Sequence, residues 1–281
     1  PLVDAHGRIF AVLVGQRRDS VWDADVLEAY QLITAEGMAA TFPTTMRRHR
    51  RGLFAVINAG LSYGKGQTVP SALRVDPQYA GIAERLLGSM AIQRMAAFAS
   101  FSFAMWAPRL YKYYRKHNEA LHAHLPGLPR NFKRSVFSCA PFNFGPHVWT
   151  FCHRNVLNVP FGWCTVQSAG EFDATRSGPL VLWDLKLAVE FPHGALILLP
   201  SATIAHSNVP VRTEETRISF TQFTAGGLIR YVDNGFRTEG QLAEEDEAEF
   251  ARMAEAKGVR WEMGLGPLST IDELLEIIAE E

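Results

Sequence analysis

Six short runs decide the fold: Gly162-Trp163-Cys164-Thr165-Val166-Gln167-Ser168-Ala169, Pro179-Leu180-Val181-Leu182-Trp183-Asp184, Leu187-Ala188-Val189-Glu190-Phe191, Ala195-Leu196-Ile197-Leu198-Leu199, Ala202-Thr203-Ile204-Ala205-His206 and Arg217-Ile218-Ser219-Phe220-Thr221-Gln222-Phe223-Thr224. Each is rich in β-branched, aliphatic or aromatic residues. The joints between them carry turn chemistry: Ala169-Gly170, Ser177-Gly178-Pro179, Pro192-His193-Gly194 and Asn208-Val209-Pro210. With Lys133 to Ala140 as a further strand ahead of them, such close spacing predicts a sandwich or jelly roll and not a parallel sheet. Helices before and after it would pack on its outer face, which makes the class α+β.

Around these strands stand His153-Arg154-Asn155, then His206, then Arg217-Ile218-Ser219. Alternate residues of a strand point the same way, so positions 153 and 155 share a face. Two histidines and a carboxylate on one face of Fe(II) leave positions open for a keto acid and O2. The guanidinium of Arg217 can pair bidentately with the distal carboxylate of 2-oxoglutarate, and Ser219, on the same strand face, can add a hydroxyl. The pattern predicts His153, Asn155 and His206 at a metal and Arg217 and Ser219 at the keto acid. A lone strand histidine is ordinarily a satisfied core or surface residue; it is the register of His153, His206, Arg217 and Ser219 that favours ligands. His147 and His193 are read as structural. His122 and His124 end a helix with no carboxylate nearby.

The rest of the chain agrees with a folded protein: 281 residues, 47% hydrophobic and 20% charged, with a formal net charge of −1. That balance argues against a protein that coats nucleic acid, but the charge is uneven. Arg47, Arg48, His49, Arg50 and Arg51 form a basic run, while the tail is acidic. The three cysteines, Cys139, Cys152 and Cys164, have no zinc-like spacing, so a reducing intracellular compartment is expected. No signal-peptide pattern opens the sequence, and Pro1 points to a trimmed start. The most apolar stretch, Met95 to Ala107, is shorter than the ~20 residues a membrane span needs.

In chain order, Gly7 to Gly15 predicts a buried strand, and Asp19-Ser20 an N-cap for a helix over Val21 to Thr34. The basic run is placed on a loop after Pro43, and Leu53 to Ala59 is a second strand. Gly60-Leu61-Ser62-Tyr63-Gly64-Lys65-Gly66-Gln67 is a glycine-rich loop; beside the basic run, Ser62 and Lys65 are candidates for a polyanion. Tyr79 to Phe98, extending toward Trp106, and Pro108 to Leu121 are helices. Gln241 to Ala256 is an acidic helix, and Thr270 with Glu273 forms a capping box for another. One domain over 1–281 is expected: a mixed part, 1–130, packing on a β core, 131–235, with C-terminal helices over 236–281.

The blocks Gly162-Trp163-Cys164, Gly170-Glu171-Phe172-Asp173, Leu180 to Leu185, Phe191-Pro192-His193-Gly194, Pro200-Ser201-Ala202, His206 to Pro210, Arg217 to Gln222 and Gly226-Gly227-Leu228 together resemble the TET/JBP dioxygenases, most of all the fungal branch. The likeness runs over roughly Gly7 to Gly235. It implies a double-stranded β-helix core, Fe(II), 2-oxoglutarate, a nuclear location and oxidation of 5-methylcytosine in DNA, with N6-methyladenine a further substrate of some members. A methylated base must leave the duplex to be oxidised. Arg47, Arg48, Arg50, Arg51 and the loop bearing Ser62 and Lys65 would hold the backbone. Asn158 matches a position where some members place a polar side chain on the base; by itself it reads equally as a turn-stabilising Asn. The departure is Asn155, where the family has the iron-binding Asp. Three readings stay open: an Asp→Asn change that traps a complex, a member without turnover, or ligation by Asn155 itself or by a nearby acid such as Asp173. A catalytically dead DNA-binding protein and an oxygenase for another class of substrate are the alternatives.

Overall fold

The computed structural model describes residues 1–17, 19–64, 66–256 and 258–280. The chain opens with β1 (Leu2–Val3) and β2 (Ile9–Gly15), then α1 (Ser20–Ala39), the short α2 (Thr44–Arg47), β3 (Ala55–Ser62) and β4 (Ser71–Ala72). Three helices follow, α3 (Pro77–Gly88), α4 (Met90–Trp106) and α5 (Pro108–His124). The core strands are β5 (Cys139–Phe144), β6 (Cys164–Glu171), β7 (Leu180–Leu182), β8 (Leu187–Val189), β9 (Leu196–Leu199), β10 (His206–Asn208) and β11 (Thr216–Gln222). Helices α6 (Gly226–Asp233), α7 (Glu239–Glu245), α8 (Glu247–Ala256), α9 (Arg260–Leu265) and α10 (Ile271–Glu280) complete it.

The strands pair into an eight-stranded sheet, ordered β1-β2-β9-β6-β11-β5-β3-β4, and a three-stranded sheet, β10-β7-β8; every pairing is antiparallel. This is the expected double-stranded β-helix with flanking helices. Strand alternation sorts β11 into two faces. Ile218 and Phe220 pack toward α1 and α4 in one apolar cluster with Val26, Ile33, Met95 and Phe142. Phe220 stacks on Phe142 with centroids 5.2 Å apart. The intervening residues, Arg217 and Ser219, are turned to the opposite side. There Leu180, Leu182, Phe191, Ile197, Leu199 and Ile204 form a second cluster.

Helix α1 buries Trp22, Val26, Ala29, Tyr30 and Ile33, the three- and four-residue spacing of an amphipathic stripe, and Asp19 caps it by accepting from the Trp22 N–H. Arg94 to Asp25 (2.5 Å) and a two-pronged Arg85 to Glu36 pair (2.5 and 2.7 Å) tie α4 and α3 to it. The predicted capping box at the tail is present: Thr270 N–H donates to Glu273 and Glu273 N–H to the Thr270 hydroxyl. No helix among the described residues is long and apolar enough to cross a membrane.

Several elements differ from expectation for local reasons. Tyr79 to Trp106 is two helices, because the Ser89 N–H closes α3 on the Arg85 and Leu86 carbonyls while its hydroxyl caps α4 at Ile92. The strand expected over Lys133 to Ala140 begins only at Cys139; Val136 is held by the Ser100 hydroxyl and not by a ladder. Ala202 to Ile204 is a turn on the Pro200 carbonyl, so His206 starts its strand instead of ending one. Trp183 to Leu185 is a 3₁₀ turn, and the acidic helix breaks at Asp246. Arg47 lies in α2, not on a loop, and Gly60 to Ser62 belong to β3.

Candidate metal and keto-acid site

His153 and His206 face each other across an isolated antiparallel bridge, each backbone N–H donating to the other's carbonyl at 3.0 Å. Their rings lie 4.3 Å apart, inclined by 52°. Each Nδ1 sits 2.8 Å from a carbonyl two residues back, Phe151 O for His153 and Ile204 O for His206. A carbonyl only accepts, so Nδ1 carries the proton and each Nε2 keeps its lone pair free. Burial, with the neighbouring imidazole second, pulls His153 down to about 4, and burial lowers His206 as well. Both rings are therefore neutral at neutral pH, the form in which imidazole binds metal.

The third position is different. Asn155 is fixed by its own backbone, donating to Ser201 O at 2.7 Å and accepting from the Asn158 N–H at 2.8 Å. Its Oδ1 accepts from Arg50 Nη2 at 3.4 Å, while Arg50 Nη1 donates to the Arg154 carbonyl at 2.9 Å. The acid proposed from sequence as a substitute, Asp173, is exposed and bonded to Thr175, and no group of three or more His, Cys, Asp or Glu side chains able to hold a metal occurs among the described residues. Asp184 is held by Arg154 at 2.8 Å and by the Ala205 N–H at 2.7 Å. The residues present fit a divalent metal at two of its three protein positions. At the third they offer a neutral amide.

Arg217 is 1% exposed, although its guanidinium keeps its charge: burial lowers it only to about 10. Nη1 donates to Val148 O at 2.6 Å, while Nε and Nη2 have no partner among the described residues. Its central carbon lies 5.7 and 5.8 Å from the Phe172 and Phe191 ring centroids. Beside it, Ser219 Oγ accepts from Asn143 Nδ2 at 2.9 Å, which leaves the hydroxyl proton free to donate onward. Gly178 gives the guanidinium its room: at φ 73° it takes a left-handed conformation, and a Cβ there would stand 2.7 Å from Arg217 Nε. A buried cation with two idle donors and, among the described residues, no acid paired to it is the arrangement a carboxylate would satisfy. These residues fit the keto acid.

Of the other predicted residues, Asn158 donates from Nδ2 to the Ser201 hydroxyl at 3.0 Å and closes a turn on Asn155, so it reads here as a loop-shaping residue. Ser62 is bonded to Gln67 at 2.9 Å, and Lys65 lies outside the described residues. Arg47 and Arg48 are exposed. Arg50 and Arg51, expected on an outer loop, are instead the corner of a tight turn closed by His49 and Gly52. The Arg51 carbonyl accepts from the Phe151 N–H at 2.8 Å, which lays this corner along 151–155. No hydrogen bond or ion pair of the Arg51 guanidinium occurs among the described residues, and its charge acts on both imidazoles. Outside the pair, Val156 and Leu157 are 68% and 67% exposed, and Trp183 is exposed with its Nε1 on the Ser207 hydroxyl. His122 bonds the Asn118 carbonyl and His124 stacks on Phe236, so neither forms a metal pair.

No family model and no curated protein matches the chain. Among solved structures, NgTET1 in complex with 5mC DNA superposes with a TM-score of 0.57 at 14% identity, over 80% of this chain and 75% of that one. An oxidoreductase of the 2OG-Fe(II) oxygenase family from Burkholderia pseudomallei gives 0.36 at 13% identity, over 69% and 77%, and a Pseudomonas putida prolyl-4-hydroxylase 0.37 at 14%, over 77% and 93%. The first of these likenesses fixes the fold alone: the chain has a double-stranded β-helix core like that of NgTET1.

Proposed function

We propose that this chain is a 2-oxoglutarate- and Fe(II)-dependent dioxygenase scaffold whose substrate is a methylated base in DNA, 5-methylcytosine first. One observation carries the reading. Two neutral imidazoles with free Nε2 atoms lie in the same β core as a buried guanidinium with two idle donors. In this account His153 and His206 hold the metal, and Arg217 with Ser219 holds the far carboxylate of the keto acid. Iron, when bound with the keto acid and O2, supplies the oxidation of the base's methyl group. The chain's own part is to bind, orient and keep water from the buried end of the keto acid, which Phe172 and Phe191 cover.

The DNA reading draws support from the 5mC DNA named with NgTET1, from the fungal TET-like sequence blocks, and from the surface beside the histidines. Exposed Val156, Leu157 and Trp183 offer apolar faces to an unstacked base, and Arg47 and Arg48 are free to meet phosphates. The test is mass spectrometry of a methylated duplex incubated with Asn155→Asp protein, Fe(II) and 2-oxoglutarate. Oxidised base is expected; none, from protein shown to bind both metal and keto acid, removes the DNA oxygenase.

A second reading has one observation of its own. Asn155 Oδ1 is already engaged by Arg50, so the natural chain would bind modified DNA without turning it over. It predicts salt-dependent DNA binding by both proteins and no product from Asn155→Asp.

A further inference from the structure

We infer that the groove between α4, α5 and the segment 130–136 binds a nucleoside phosphate, with the base against Phe101 and Tyr111 and the phosphate among Arg130, Lys133 and Arg134. Its source is a free nucleotide or one unit of a single strand; the chemistry recognised is the same. The groove shares no residue with the site of His153, His206 and Arg217.

The groove holds about 340 Å³, the size at which pockets for small ligands begin. One wall is a fixed segment. Asn131 Nδ2 donates to the Ala59 carbonyl at 3.0 Å, and the buried Phe132 ring meets Phe220 at right angles with centroids 5.9 Å apart. The Val136 N–H donates to the Ser100 hydroxyl of α4 at 3.1 Å, and the Val136 carbonyl accepts from Asn118 Nδ2 of α5 at 3.4 Å. Between these anchors Arg130, Lys133 and Arg134 are exposed. No hydrogen bond or ion pair of their side chains occurs among the described residues. Residues 125–136 contain no Asp or Glu, and the acid lining the groove, Glu119, is engaged by Arg115 at 2.7 Å. Three cations within five positions, set on a pinned segment without counter-charge, suit an anion of more than one charge, such as a phosphate.

The other wall is aromatic. Phe101 of α4 is 66% exposed, and Tyr111 of α5 stands at right angles to the buried Phe103 ring, 5.8 Å away. A single exposed Phe is ordinary; this one shares a groove with three unpaired cations. Rings beside a row of cations are what base-and-phosphate recognition uses, the base stacking while the phosphate pairs. At the inner wall Asn118, its Nδ2 spent on Val136, keeps an Oδ1 with no partner among the described residues, an acceptor suited to a base N–H. An inorganic anion would use the cations alone and an apolar ligand the rings alone. A nucleoside phosphate uses both walls.

The test is fluorescence anisotropy of AMP carrying a ribose-linked N-methylanthraniloyl group, titrated with the full chain in the absence of metal and keto acid. Unlabelled AMP should displace the probe, and ribose 5-phosphate and inorganic phosphate should each need about fivefold or more higher concentration, the least that one stacked base contributes. Phe101→Ala, at an exposed position, should bring that ratio near one while phosphate competes as before. Lys133→Gln with Arg134→Gln, also exposed, should weaken the labelled nucleotide about tenfold or more. A short deoxyadenylate strand that displaces the probe at a lower nucleotide concentration than AMP identifies a strand as the occupant; the reverse identifies a free nucleotide. No binding, equal competition by AMP and phosphate, or unchanged binding by the Lys133 and Arg134 variant overturns the proposal. None of those results touches the assignment of His153, His206 and Arg217.

Discussion

Arg217 is where a single substitution separates ligand binding from folding. In the free protein it is a buried charge with one hydrogen bond, to Val148 O, and two idle donors. An unpaired buried ion costs several kcal/mol, and a bond from a charged donor returns about 1.5–3 kcal/mol. Arg217→Met removes both, so the free protein should stay within about 2 kcal/mol of the parent. The ligand response is another matter. At ~100 times its dissociation constant, 2-oxoglutarate should stabilise the parent by about 2.7 kcal/mol. For a chain of this size that is a rise in Tm of roughly 5–10 °C. Arg217→Met should show almost none of it, and Arg217→Lys less than half, because an ammonium cannot present the bidentate fork. Scanning fluorimetry with and without the keto acid reads all three. A full shift in Arg217→Met would refute the assignment, and so would a parent that shows no shift while Arg217→Met unfolds.

Ser219→Ala should leave Asn143 Nδ2 without its acceptor and cost about 1–3 kcal/mol of stability, with keto-acid affinity falling in the same titration. Gly178→Ala should press a methyl against Arg217 at a left-handed backbone position and weaken keto-acid binding together with stability, by about 1–3 kcal/mol. His153 is held near 4 against a free value of 6.5, so between these values the unfolded chain binds a proton that the folded one does not. Stability should therefore fall as pH drops from 6.5 to about 4, by about 3 kcal/mol at most, and His153→Asn should flatten that part of a denaturation-against-pH profile. If Arg47 and Arg48 meet phosphates, their replacement by alanine should reduce the slope of log affinity for DNA against log salt by about 2.

The strands of the core were legible because each alternates or runs apolar between turn residues, and β11 shows why that suffices. Its period sends Ile218 and Phe220 to the helices and leaves Arg217 and Ser219 together on the other face. The order of the histidines along the chain could be read, but not their setting: His206, expected to end a strand, begins β10 and faces His153 across an isolated bridge. Strand limits were less legible. Side-chain hydroxyls such as Ser100 and Ser89 replaced or interrupted backbone ladders at places where hydrophobicity alone continues. The placement of Arg50 and Arg51 was not legible at all. It depends on a four-residue turn meeting a segment about a hundred positions away, and a basic run reads the same whether it faces solvent or a site. Gly178 was visible only as a turn residue; that its missing side chain makes room for Arg217 appears once the two are brought side by side.

The most direct measurement is anomalous diffraction from crystals of the full chain grown with Mn(II) and 2-oxoglutarate. The account predicts one metal peak within about 2.2 Å of both His153 Nε2 and His206 Nε2, with the distal carboxylate of the keto acid on Arg217. A peak elsewhere, or a keto acid bound with Arg217 still unpaired, would contradict it.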